Sequence, residues 1–470
     1  MRHLTWLAGS ASFKQLALLL IATFLMGGST RPDVMSLIVL RPLSVLIFAC
    51  GCWTLRHEQW RQAPFLCSMA VATTALLLLH LVPLPPVLWQ SLPQRMTIAT
   101  LDHAAGLGVV WRPLSMAPSL TWNALFALAV PLAVLVHGLQ LSHEDLRRLM
   151  VLVLVAGAIS VLLGFMQMLG DADTGPYLYR LSSRGTAVGL FANRNHQAVF
   201  LTTLLPMLAF LTTERDTLAR HRGRTLFLLF AAVAVLMVIL LLLGSRAGLV
   251  CGIFGLLSVA IMVRLRMSGM RERPHWIGTA VIIGFSIVAI LIVIAVASGQ
   301  ATSVRHALNS SSSDDLRFLV WPVAWRSALV LLPWGSGIGT YQPVFQMFEP
   351  AGMLRSTYSN HAHSDWLEVV MTGGIPGVVL LVAMVAGFGG ALRLAWQRRR
   401  LSGTALAWTG LVIILLCGIG SFADYPLRAP IMSALFVLAC LWVRTGLDRR
   451  TLHDSGVPQH QAGSSNDLRA

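Results

Sequence analysis

Two clusters of polar residues in an otherwise apolar chain have the types and spacing to do chemistry. The first is SNHAHSDWLE, residues 359–368, which brings His361, His363, Asp365 and Glu368 together. Asp365 and Glu368 stand three apart, the spacing of a helix capping box, so a helix is expected to begin there. His363 then lies just before a helix N-terminus, and a neutral imidazole at such a place suits a general base. Capping alone accounts for Asp365 better than it accounts for His363. The second cluster is a set of arginines at the edges of apolar stretches: Arg194 in FANRNHQA, Arg246 in GSRAG, Arg317 in DDLRFLVWPVAW and Arg428 in ADYPLRAP. Guanidinium groups bind phosphate bidentately, so Arg194 and Arg246 converging on one point would suit a diphosphate. Arg428 has a plainer explanation, with Asp424 four residues away as an ion-pair partner.

Other patterns carry less. Asp171-Ala172-Asp173 has the D-x-D spacing with which carboxylates hold a divalent ion, but turn-forming Asp beside Gly170 and Gly175 explains it as well. His361 and His363 are at most half a metal site, because no cysteine and no H-E-x-x-H helix completes it. The sequence contains no P-loop, no dinucleotide fingerprint and no G-x-S-x-G elbow, so nucleotide chemistry has no support. No metal and no cofactor are expected. The six cysteines all fall inside apolar segments and read as small buried hydrophobes.

The elements that must position these residues are membrane spans. Only 11% of the 470 residues are charged and 56% are hydrophobic, whereas soluble domains carry roughly 25% charged residues. Mean hydropathy is +0.72. The chain therefore lacks the polar material to cover a water-facing surface. Its formal charge of +16 comes from 35 Lys and Arg against 19 Asp and Glu, and Lys14 is the single lysine. The arginines are scattered between apolar stretches rather than gathered into a solvated patch, which excludes a nucleic-acid partner. Windows of about 20 apolar residues predict an all-α polytopic protein of twelve spans. They fall near 14–28, 34–55, 63–84, 121–139, 149–168, 196–213, 225–243, 247–263, 276–297, 367–394, 404–420 and 430–443.

With both termini cytoplasmic, 22 of the 35 basic residues fall on the inside, 12 on the outside, and Arg41 within a span. The outside face then holds long connections at 85–120, 169–195 and, between spans nine and ten, about 298–366. Ser310–Ser313 followed by Asp314-Asp315 reads as a turn in the largest loop. Trp321 to Trp334 reads as a short amphipathic helix lying at the interface. Residues 1–448 form one membrane domain, and 449–470 a disordered cytoplasmic tail. Arg194, Arg246, Arg317 and Arg428 lie on the face that the positive-inside rule disfavours. Charges at the membrane edge are costly and usually face a cavity or a partner.

The order FANRNH, GSRAGL, WGSGIGTY, NHAHSDWLEVVMTGGIPG and SFADYPLRAP resembles the O-antigen ligase and O-antigen (exopolysaccharide) polymerase superfamily of bacterial inner-membrane proteins. The likeness covers about residues 185–430. Its sharpest element is the pattern His-[Asn/Ser/Gln]-x9-Gly-x-x-Gly, met by His363-Ser364, nine residues, Gly374 and Gly377. The resemblance implies a GT-C-like membrane glycosyltransferase, metal-independent and inverting, working at the periplasmic face in lipopolysaccharide assembly. Its donor would be a glycan on undecaprenyl diphosphate, its acceptor lipid A-core or a growing glycan, within membrane lipids. By the same resemblance His363 is the base, Arg194 and Arg246 hold the diphosphate, and Arg317 adds a third contact. Asn193, Asn195 and His196 would line the site, and Tyr341 would stack on sugar. A polymerase or a protein O-oligosaccharyltransferase of the same superfamily fits these motifs too. A transporter of lipid-linked glycan or anion is the reading from another class. It would call for internal repeats and mid-span charges; no repeat is detected, and the polar residues of these motifs lie at span ends.

Overall fold

The computed structural model describes residues 9–170, 175–213, 215–268, 316–354, 358–399 and 403–448. The expected ninth span, the Asp171/Asp173 pair, the Ser310–Asp315 turn and the tail from Arg449 fall outside them. The other eleven expected spans are all helical. They are α1 (Ala11–Met26), α2 (Leu37–Thr54), α4 (Pro64–Leu81), α7 with α8 (Pro118–Ala127, Ala129–Gly138), α9 (His143–Leu169) and α10 (Arg194–Thr212). After these come α11 (Arg215–Leu242), α12 (Arg246–Ser268), α15 (Asp365–Gln397), α16 (Thr404–Ala423) and α17 (Pro430–Leu447). Short helices fill the connections: α3 (His57–Arg61), α5 (Pro86–Gln90), α6 (Met96–Ala104), α13 (Leu316–Val330) and α14 (Tyr341–Gln346). Among the described residues nine helical stretches are long and apolar enough to cross a membrane. The protein is all-α and polytopic. The strands described are the two-residue β1 (Pro83–Leu84) and β2 (Arg112–Pro113), paired antiparallel.

Helix α10 is the hub. Every residue from His196 to Met207 is buried, against α9, α11, α12 and α16. Small residues let these backbones close up, as expected where membrane helices pack without a hydrophobic driving force. A Cβ on Gly410 of α16 would fall 2.4 Å from the Ala439 carbonyl of α17, and one on Gly446 2.4 Å from the Ala407 nitrogen. The outward faces of α2 and α15 stay apolar and exposed, at Ile38, Leu46, Val379 and Val382 among others.

The outer connections differ from the sequence expectation. The 85–120 stretch is an ordered cap, because β1 and β2 close it and Asp102 pairs with Arg112 beneath. Buried Arg95 donates to the Leu114 carbonyl at 2.5 Å, and Ser115 and Met116 donate backbone hydrogen bonds of 2.8 Å to His80 and Ser336. The helix expected from Trp321 toward Trp334 is present as part of α13. Helix α13 packs along α15, burying Val320, Ala324 and Ala328 in a second core with Tyr341, Phe345 and Met371. The turn that follows, WGSGIG, is drawn onto α15 where Gly374 has φ +57° and kinks the helix. A Cβ there would sit 2.3 Å from the Pro333 carbonyl oxygen, so the motif glycine makes room for this turn. Gly377 packs a further turn along, where a Cβ would stand 3.0 Å from the Val369 carbonyl.

Candidate active site

The site gathers where several helices begin at one end of the bundle. FANRNH is set in place by the loop before it. There Gln167 exchanges hydrogen bonds with Gly189, at 2.8 and 3.1 Å, and Ala192 donates to the Gly28 carbonyl at 3.1 Å. Asn193 caps α10, its side-chain oxygen accepting from the Asn195 amide at 2.8 Å. Arg194 is therefore the first helical residue, and the Asn195 side chain is free to reach across to Asp424, 2.6 Å away.

Ser364 caps α15, accepting from the Leu367 amide at 3.4 Å. The expected Asp365–Glu368 capping box does not form, because both carboxylates turn instead toward Arg428. Arg428 Nε donates to Asp365 Oδ1 at 2.9 Å, and its NH1 lies 3.1 Å from Glu368 Oε1. Ser421 Oγ completes Asp365 at 3.0 Å. Glu368, only 1% exposed, also accepts from the Ala362 amide at 3.2 Å and lies 3.1 Å from His361 Nδ1. This corrects the pairing of Arg428 with Asp424. Asp424 is extended, at φ −159° and ψ −161°, so the four-residue spacing is not a helical one. For Arg428, burial alone would lower its pKa; Glu368 and Asp365 outweigh that and raise it.

Asp424 does something else. It is fully buried at the end of α16, with Oδ1 3.3 Å from His363 Nδ1 and 4.0 Å from His196 Nε2, and Oδ2 on Asn195. Burial by itself would raise the Asp424 pKa, but the His363 hydrogen bond, both imidazoles and the Asn195 amide hold it well below the usual carboxylate range. His363 takes a left-handed backbone, φ +50°, uncommon for a residue with a side chain. Its ring is one-third exposed, at 34%. With Nδ1 turned to a carboxylate, Nε2 is left to accept a proton, the geometry of a His–Asp pair. Tyr425 packs among three imidazoles, with centroids 5.1 Å from His196, 4.2 Å from His361 and 5.2 Å from His363.

The arginines stand at the same end. Burial is the larger influence on the Arg194 guanidinium at the start of α10, and the Arg317 charge is a smaller one. Arg246 opens α12, capped by Ser245, whose Oγ accepts from Gly248 at 3.0 Å. A Cβ on Gly248 would fall 2.4 Å from Ala198 Cβ, which sets the starts of α10 and α12 side by side. The N-terminal ends of α10, α12 and α15 are capped by Asn193, Ser245 and Ser364, and their positive dipole ends favour an anion. Among the described residues, no group of three or more His, Cys, Asp or Glu is arranged to hold a metal.

Of the residues expected from sequence, His363, His196 and Asn195 meet on Asp424, and His361, Asp365 and Glu368 gather with Arg428; Asn193 and Arg194 stand beside Asn195, while Arg246 opens α12 and Arg317 lies in the first turn of α13. Tyr341 does not present its ring to them. It is 1% exposed and stacked on Phe345, with centroids 5.2 Å apart, and its hydroxyl lies 3.4 Å from Ser359. Asp424 is the site residue that sequence reasoning assigned elsewhere. Its signal was present: an acidic residue at a span end in a chain with only 19.

This fold and site define a polytopic membrane protein whose polar chemistry is confined to one end of the bundle, with a carboxylate-held histidine beside clustered arginines. Residues 230–382 match the family model described as O-antigen ligase, which supports membership of the O-antigen ligase superfamily. The matched stretch holds Arg246, Arg317, His363, Gly374 and Gly377. No curated protein matches the chain.

Proposed function

We propose that this protein transfers a glycan from undecaprenyl diphosphate onto an acceptor hydroxyl at the periplasmic face of the inner membrane, the acceptor being lipid A-core. The observation that carries the reading is the His363–Asp424 pair, 3.3 Å apart, at the end of the bundle where α10 begins with Arg194. The acceptor oxygen attacks the anomeric carbon while its proton passes to His363 Nε2. The carbon–oxygen bond to the diphosphate breaks on the opposite side, which inverts the anomeric centre. Asp424 holds the imidazole in the Nδ1–H tautomer and steadies the imidazolium that forms. The leaving diphosphate takes the electron pair, and Arg194, Arg246 and Arg317 with the helix N-termini stabilise its charge. These groups supply that stabilisation without a metal.

The orientation follows from the other end of the bundle. Arg444 donates to Gln62 at 2.8 Å, and Trp442 to the Leu146 carbonyl at 3.0 Å, next to Arg147 and Arg148. The end remote from the site carries Arg147, Arg148 and Arg444, which supports a cytoplasmic placement of that end under the positive-inside rule. Deletion of the protein followed by glycan analysis tests the reading. Full-length polymer stranded on the lipid carrier is expected. Cores capped by single repeats would mean that the protein polymerises instead.

A further inference from the structure

Arg41 is the one basic residue that the orientation argument leaves within a span. It sits in the second turn of α2, near the same end of the bundle as the site. Its NH2 donates to Asn123 Oδ1 of α7 at 2.6 Å, while its buried Nε has no hydrogen-bond partner among the described residues. A guanidinium held by one neutral amide in an apolar wall is left short of a counter-charge. It opens on a groove of about 710 Å³ between α2 and α7, walled by Leu37, Ile38, Val45, Leu46 and Phe126. That volume suits a ligand site, for which about 300–1,000 Å³ is usual.

Pro32 and Asp33 line the groove at the turn between α1 and α2. At its mouth Arg31 holds Asp33 with hydrogen bonds of 2.9 and 2.8 Å, and Arg31 also hydrogen-bonds Tyr358. Tyr358 precedes Ser359, whose hydroxyl donates to the His361 carbonyl at 3.0 Å. The turn between α1 and α2 carries Arg31, and its Gly28 carbonyl accepts from Ala192, one residue before Asn193. Through Arg31, Tyr358 and Ser359, and through the Gly28–Ala192 contact, the polar end of the groove is tied to the loops that carry His361 and Asn193.

We infer that this groove seats the lipid-borne acceptor, a phosphorylated and multiply acylated glycolipid. Its acyl chains lie along Ile38, Leu46 and Phe126, and a head-group phosphate meets Arg41. The inference rests on the glycosyl-transfer reading above and assigns the second substrate to its own site. The cations proposed for the donor diphosphate belong to α10, α12 and α13, whereas this groove is built by α2 and α7. A reaction between two membrane-anchored lipids needs two such places. The tie from the groove's polar end to the His361 loop favours the acceptor over an ordinary phospholipid.

The test uses the full chain in phosphatidylcholine nanodiscs, with native mass spectrometry of three probes: lipid A, phosphatidylglycerol and undecaprenyl phosphate. Lipid A is expected to bind, and Arg41→Ala to weaken it by about tenfold, the effect of one lost charged hydrogen bond. Ile38→Trp, which fills the groove from an exposed position, should weaken it similarly, while Arg41→Lys should restore most of the binding. The other two probes should bind weakly and be unaffected by Arg41→Ala. Lipid A binding that survives both Arg41→Ala and Ile38→Trp overturns the inference. So does equal, Arg41-dependent binding of phosphatidylglycerol or of undecaprenyl phosphate. In transfer assays, Arg41→Ala should raise the acceptor KM and leave kcat and the donor KM unchanged. Arg41-dependent lipid A binding in a protein that transfers no glycan would keep the groove and sink the functional reading instead.

Discussion

The imidazole of His363 lies 3.3 Å from the carboxylate of Asp424, 61 residues further along the chain, and a left-handed backbone at His363 holds it there. Asp424→Asn removes the charge and can present its amide N–H to the ring, which favours the wrong tautomer. Glycan transfer by Asp424→Asn should fall by about 10²–10⁴-fold, the size of a general-base contribution. Steady-state kinetics should place the loss in kcat, with the donor KM near that of the wild type.

The same carboxylate makes stability depend on acid. Its folded pKa is held below the ordinary carboxylate value, so the folded protein binds fewer protons than the unfolded chain in that range. The stability it contributes is therefore present above the ordinary carboxylate range and is lost as pH falls through the depressed folded value. Thermal unfolding in detergent, followed from pH 7 downward, should show a fall at acid pH that is smaller in Asp424→Asn.

Arg428 should matter for folding before it matters for chemistry. It pairs with Asp365 and Glu368 at 2.9 and 3.1 Å, and Glu368 is 1% exposed. Removing one partner from a buried ion pair strands the other, at a cost of roughly 3–5 kcal/mol. Arg428→Met should lower the unfolding temperature markedly. The double variant Arg428→Met with Glu368→Gln should recover part of the loss, which a thermal shift assay reads directly.

Arg194→Ala and Arg317→Ala should each weaken productive use of the donor without unfolding the protein. A hydrogen bond to a charged group is worth about 1.5–3 kcal/mol, so kcat/KM for the donor should drop by roughly 10–100-fold. Because the two charges already act on one another, the double variant should lose less than the product of the singles.

The spans were legible because a run of about 20 apolar residues reports directly on the bilayer. Eleven of the twelve expected spans lie in the described residues and all are helical. His363, Arg194 and Arg317 were legible by type, as polar groups at the edges of apolar runs. Asp424 was legible as an acidic residue at a span end, but its partners were not, because they lie 61 and 229 residues away and leave no local trace. Spacing suggested Arg428 as its partner, but that assumes a helix where the chain is extended at Asp424 and then makes a 3-10 turn at Pro426–Arg428. The resemblance implies a sugar-stacking role for Tyr341, but motif position does not report burial, and the ring is 1% exposed. The two-residue strands that close the 85–120 cap are too short to show an alternating pattern.

The central claim is that His363 takes the acceptor proton, and the most direct measurement is transfer by purified His363→Ala with undecaprenyl-diphosphate-linked glycan and lipid A-core. Donor binding is followed in the same samples. The account predicts donor binding like that of the wild type with transfer reduced to background. Transfer at a wild-type rate by His363→Ala would contradict it.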